Sequence, residues 1–197
     1  MLIYDIEIIK AIPDKKSPRL ANVEYCEGWN DHENMGVSVV GAYDYTEDRY
    51  RVFTADNMDE FVSLTLTENI LIGFNNISFD NKVLRKNGAD LDDSRCYDIL
   101  VEIWRAAELG LTFAYPSHIG FGLDDCCKAN FNRSKSGNGA YAPVDWQRGN
   151  IGTVIDYCLT DVWLTKKLMD RIIRLGKLKN PKDGSWLNMR SIQWTNS

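Results

Sequence analysis

The sequence has few histidines, no long apolar run and no surplus of positive charge, and each lack removes a class of function. No hydrophobic stretch approaches the ~20 residues that cross a bilayer, and the longest candidates, such as 70–74, are strand-sized. No basic segment leads into a long apolar one at the N-terminus, so a cytoplasmic protein is expected. Five cysteines, an odd number without framework spacing, and only two histidines make neither a disulfide framework nor a zinc site; reduced packing thiols are expected. A net charge of −5 argues against binding nucleic acid by bulk electrostatics. It leaves open a site where bound divalent cations supply the positive charge that a phosphate needs.

What is present is a chain long enough for one domain with a sizeable core, and 1–197 reads as one. Residues 2–9 are apolar and β-branched apart from two carboxylates, which predicts a buried strand. A long insertion follows over 10–36, then a hairpin from 37–44 and 50–54 around Thr46-Glu47-Asp48. Helix 57–67, strand 70–74, helix 78–87 before Gly88, a short strand 95–97 and helix 99–109 before Gly110 come next. A helix is expected over 123–131, and a loop over 132–149, which carries Ser134, Ser136, Gly137, Gly139, Pro143 and Gly149. A long helix over 152–175 opens on Thr153 and Asp156, which resemble a capping box. A hairpin-like tail over 176–197 turns at Asp183-Gly184. Hairpin-linked strands followed by strands separated by helices indicate a mixed α/β sheet.

Three places carry more acid than this framework needs. Asp5 and Glu7, two apart in a strand, emerge on one face, where an apolar strand would ordinarily exclude them. Asn75 to Asp80 puts an acid just after a strand, in the first turn of a helix, where it could also simply complement the helix dipole. Tyr157 and Asp161, at i and i+4, share one face of the long helix, on a line that continues through Leu164 and Leu168. An Asp on an apolar stripe needs a partner, and a metal is one.

The order of the three resembles the exonuclease motifs of the DEDD superfamily of 3′–5′ exonucleases, with Asp-x-Glu at Asp5 and Glu7, Asn-x-x-x-Phe-Asp at Asn75–Asp80, and Tyr-x-x-x-Asp at Tyr157 and Asp161. The second motif is most similar to that of family B polymerase proofreading domains, and the third is that of the DEDDy subtype. The resemblance covers about 1–175 by order of elements and implies a ribonuclease H-like fold, a mixed central sheet flanked by helices. It implies a catalytic set of Asp5, Glu7, Asp80, Tyr157 and Asp161, with the four acids holding two divalent ions, Mg²⁺ or Mn²⁺, as hard oxygen donors prefer. By the same analogy Asp5 is shared by both ions, Glu7 and Asp161 hold the one nearer the attacking water, and Asp80 helps hold the second. Tyr157 would orient that water. The implied reaction releases nucleoside monophosphates from a free 3′ end, single-stranded DNA preferred and RNA open. A ribonuclease H-like endonuclease or resolvase, and an inactive nucleic-acid-binding module, remain as alternatives. For substrate contacts the candidates are Asn75 and Phe79 beside the second motif, and Lys128, Arg133, Lys135 and Arg148 before the last helix. Trp29 and His32, in the insertion, could stack on bases or cap the fold.

Overall fold

The computed structural model describes residues 1–14, 16–133 and 139–192. Lys135, with the rest of 134–138, therefore lies outside the described residues. The central strand is β1 (Leu2–Ile8), paired antiparallel to β2 (Val37–Asp44), which pairs antiparallel to β3 (Arg49–Phe53). On its other edge β1 runs parallel to β4 (Leu71–Gly73), and β4 parallel to β5 (Cys96–Asp98), giving the order β3-β2-β1-β4-β5. A mixed five-stranded sheet in this order, flanked by helices, is the ribonuclease H-like fold expected.

Alternation along β1 assigns its two faces. Leu2, Tyr4, Ile6 and Ile8 enter one core with Phe53, Phe61, Val83 and Leu84, the last three from α2 (Met58–Thr67) and α3 (Asp80–Lys86). Ile3 enters the opposite core, with residues of α4 (Ile99–Ala106), α5 (Leu123–Phe131) and α7 (Ile151–Leu175). Asp5 and Glu7 share that second face, under α7. A small hairpin of β6 (Lys177–Lys179) and β7 (Trp186–Asn188) closes the end of this core with Leu178 and Leu187. All five cysteines are free and buried, and no helix among the described residues is long and apolar enough to cross a membrane.

Several boundaries differ from the sequence reading, each for a local reason. Residues 132–149 do not form loop throughout, since 142–147 is a helix, α6 (Ala142–Gln147). Its proline sits in the first turn, and Gly149, at φ +81°, is its C′ residue, with Gly149 N–H to Trp146 O at 2.9 Å and Asn150 N–H to Asp145 O at 2.9 Å. Two of the residues read as loop markers, Pro143 and Gly149, are thus the start and stop of a short helix. The capping box at Thr153 and Asp156 does not form: α7 begins at Ile151 with Asn150 as its N-cap residue, which places both inside the helix. The helix predicted to 109 ends at Ala106, because Glu108, at φ +57°, takes the left-handed position and Leu109 N–H returns to Trp104 O at 2.9 Å. The insertion also carries a one-turn helix, α1 (His32–Met35).

Candidate metal centre and substrate cleft

Strand lengths place the site. Only Leu2 and Ile3 of β1 pair with β4, which stops at Gly73, so the second half of β1 runs past its parallel neighbour. The space at the carboxyl ends of parallel strands is where α/β sheets bind ligands. The Ile6 N–H goes instead to Asp80, whose Oδ1 accepts it at 3.2 Å. On the β2 side the register shifts between Glu7 and Ile8, an irregularity that re-aims side chains at the rim.

Asp80 is delivered by a shaped turn. Asn75 adopts φ +69°, and Gly73 lies so close to Asn76 that an added Cβ would meet that side chain at 2.5 Å. The turn is clamped by Asp98, which accepts from Asn75 N at 2.9 Å and Ile77 N at 3.2 Å while capping α4 through Leu100 N at 3.0 Å. Asp98 is a positioning residue that the sequence signals only as an Asp before an apolar helix. Below the turn, Asn76 Nδ2 donates to the buried Tyr4 hydroxyl at 2.9 Å, and that hydroxyl donates to Asn81.

Asp161 and Tyr157 come from α7, seated on β1 and β2 through Cys158. The thiol accepts from Gly41 N at 3.2 Å and lies 3.4 Å from the Asp5 carbonyl oxygen and 3.8 Å from its carboxylate Oδ2. A Cβ on Gly41 would stand 2.9 Å from that sulfur and 3.2 Å from Val162, so glycine here permits the close approach of helix to sheet. Gly41→Ala is expected to cost about 1–3 kcal/mol of stability through overpacking. In Gly41→Ala/Cys158→Ala the two effects should be non-additive by at least ~0.5 kcal/mol, since the second change empties the space the first invades. Urea unfolding of the four proteins checks this, and strict additivity would disprove the contact's role.

The result is one cleft of about 920 Å³ whose lining includes Asp5, Glu7, Asp80, Tyr157 and Asp161. Glu7, Asp80 and Asp161 are buried, while Asp5 and Tyr157 are half-buried. Burial, above all, lifts the Asp80 carboxyl from its ordinary range to about 7; Asp98 and Asp161 push the same way, and backbone N–H donors, Ile6 among them, pull against it. Burial also raises the Asp98 carboxyl. The Cys158 thiol is driven well up by burial and then by Asp5 and Glu7, which keeps it protonated as packing. Ligand atoms of Asp5, Glu7 and Cys158 all lie within 4.8 Å of one another. With the thiol neutral, the donors of this cluster are carboxylate oxygens, a set that fits a hard divalent cation.

The other predicted contacts divide. Asn75 and Phe79 line the cleft. Lys128 pairs with Asp124 on its own helix at 2.6 Å, and Arg133 and Arg148 are exposed; none of the three is in the lining. Among the described residues the cation in the lining is Lys16, from the insertion, for which the sequence offers no signal. Trp29 also lines the cleft, 69% exposed, with its ring 6.0 Å edge-on from Phe79; His32 lies 6.3 Å from Phe79 on the same side. The insertion is held by Gln147 of α6, which donates to Ile9 O at 2.8 Å and Glu24 O at 3.1 Å and accepts from Glu24 N at 2.7 Å.

No family model matches the sequence, and no curated protein does. Among solved structures the chain is similar to the family B DNA polymerase of the hyperthermophilic archaeon Pyrobaculum calidifontis, with a TM-score of 0.59 at 15% identity, over 87% of this chain and 24% of that one. The chain therefore corresponds to about a quarter of the polymerase, and at this identity the likeness is one of fold.

Proposed function

We propose that this chain is a metal-dependent 3′–5′ exonuclease that releases nucleoside monophosphates from single-stranded DNA. One observation carries the reading: acids from β1, α3 and α7, far apart in sequence, line a single cleft together with Tyr157 and an exposed aromatic wall. Asp5, Glu7, Asp80 and Asp161 would hold the divalent ions, which when bound supply Lewis acidity toward the scissile phosphate and a more acidic water. The chain's own groups do the rest. Tyr157 orients the attacking water by hydrogen bonding, an ordinary phenol being a poor base near neutral pH. Asp98 fixes the turn that aims Asp80. Asn75 hydrogen-bonds the terminal nucleotide, and Phe79 with Trp29 offers the apolar faces on which unpaired bases stack.

Digestion of a 5′-labelled single-stranded DNA with Mg²⁺ or Mn²⁺, beside EDTA and Asp5→Ala controls, tests the reading. A ladder shortening from the 3′ end, lost in both controls, is expected. Internal fragments would replace it with an endonuclease, and an intact strand for both DNA and RNA would leave a binding module. Trp29→Ala should raise KM about 10-fold with kcat little changed, as stacking on one aromatic is worth ~1–3 kcal/mol. Steady-state kinetics on a single strand reads this directly, and an unaltered KM would remove Trp29 from the substrate path.

A further inference from the structure

The positive charge of this acidic chain is gathered at one end. Between 166 and 190 stand eight of the 23 lysines and arginines and only two of the 28 acids. Lys166 pairs with Asp170, Arg190 with Glu102, and Lys182 donates to Ser117 O. Among the described residues Lys167, Arg171, Arg174, Lys177 and Lys179 form no ion pair.

These five form one surface. Spacing of four, four and three sets Trp163, Lys167, Arg171 and Arg174 in a stripe on α7, off the line of Asp161, Leu164 and Leu168 that faces the core. In the hairpin, Lys179 is registered opposite Trp186 and Lys177 opposite Asn188, so Lys177, Lys179 and Trp186 share the face away from buried Leu178 and Leu187. Trp186 is 46% exposed, with Lys177 Nζ 4.7 Å, Lys179 Nζ 5.4 Å and the Arg171 guanidinium 5.5 Å from its ring centre. Lys167 lies 5.0 Å over Trp163 in the same way. Cations converging without acids repel one another, and a polyanion relieves that repulsion. Arg171 lies ten residues beyond Asp161, about 15 Å along the helix, so this surface is separate from the cleft.

We propose that the α7 stripe and the face of the β6–β7 hairpin form a second nucleic-acid contact, which holds single-stranded DNA by its phosphates and by an unpaired base stacked on Trp186. The choice of ligand rests on the proposed reading of the cleft, while the surface itself does not.

Binding can be measured without cleavage, by fluorescence anisotropy of a labelled single-stranded DNA of about 20 nucleotides in EDTA, long enough to span such a groove. Trp186→Ala should weaken binding about 10-fold, and Trp186→Phe should retain most of it. Lys177→Ala/Lys179→Ala should reduce the slope of log affinity against log salt by about 1.4, two single-strand phosphate contacts at ~0.7 each. Both variants should hydrolyse a small chromogenic phosphodiester at the wild-type rate in the presence of metal, and circular dichroism checks that they fold. Charge reversal, Lys177→Glu/Lys179→Glu, should lower affinity further. Wild-type affinity and salt slope in all variants would overturn the proposal, as would equally tight binding of polyglutamate-like acidic peptide. Weakened binding of DNA together with a wild-type protein that cleaves nothing would sink the exonuclease reading and leave this one standing.

Discussion

Asp5→Ala is expected to lower mononucleotide release by about a thousand-fold or more, while Tyr157→Phe leaves a slow but measurable reaction. Asp5 stands on the central strand at the meeting point of β1, β2 and α7, and its carboxylate belongs to the cluster whose ligand atoms lie within 4.8 Å of one another. If this carboxylate holds the cation as proposed, removing it would forfeit several kcal/mol of charge stabilisation, and each 1.36 kcal/mol is a factor of ten in rate. In the proposed reaction Tyr157 would contribute orientation through one hydrogen bond, worth ~1.5–3 kcal/mol when the partner is charged, hence an expected loss of roughly 10- to 100-fold. Its phenol is held beside Gly139, where an added Cβ would meet the hydroxyl at 3.1 Å, so phenylalanine fits the same space. Single-turnover cleavage of a labelled strand separates the two variants. Comparable rates in both would remove the distinct roles given to the acid and the phenol.

The second large effect is a dependence of stability on pH that metal reverses. The Asp80 carboxyl titrates at about 7 in the folded protein, well above the ~3.9 of a free aspartate. Below ~4 both states are protonated and burial of the neutral acid carries no charge penalty. Between ~4 and about 7 the unfolded chain gives up the proton and the folded one keeps it, so stability falls as pH rises, then levels off. Thermal unfolding in EDTA should follow that course. At pH above 7, Mg²⁺ or Mn²⁺ at ~100 times its Kd should add about 2.7 kcal/mol, which in a chain of this size raises Tm by roughly 5–10 °C. Asp80→Asn should flatten the pH dependence and remove most of the metal response. A wild-type protein whose Tm ignored both pH and metal would contradict the proposed metal centre.

Much of this was legible from residue pattern alone, because the signals were of the kind local chemistry produces. The period of two in β1 predicted that Asp5 and Glu7 share a face, and the spacing of four predicted the same for Tyr157 and Asp161. The end of β4 was read to within a residue, but nothing local says that it pairs with only Leu2 and Ile3 of β1, which leaves the rest of that edge open and lets Asp80 take the Ile6 N–H; that register depends on the turn that Asp98 clamps from another strand. The same limit explains α6. Its proline and glycine punctuate sequence in the same way whether they bound a loop or a one-and-a-half-turn helix, and packing of Ala142 and Trp146 in one cluster with Val154 and Cys158 decides for helix. The wall of the cleft was the least readable part. Lys16 and Trp29 sit in an insertion without periodicity, and only long-range contacts such as Gln147 to Glu24 bring them to the site.

That glutamine has a mechanical consequence. A single side chain bonds the end of the central strand at Ile9 and both backbone groups of Glu24 from its base on α6. The insertion is therefore no lid swinging on its own hinge. Strand end, insertion and helix are tied at one point by this amide, and the backbone bonds Ala11 N–H to Glu24 O and Cys26 N–H to Ala11 O, both at 3.0 Å, share the load, so the wall that carries Lys16 and Trp29 is braced from two sides.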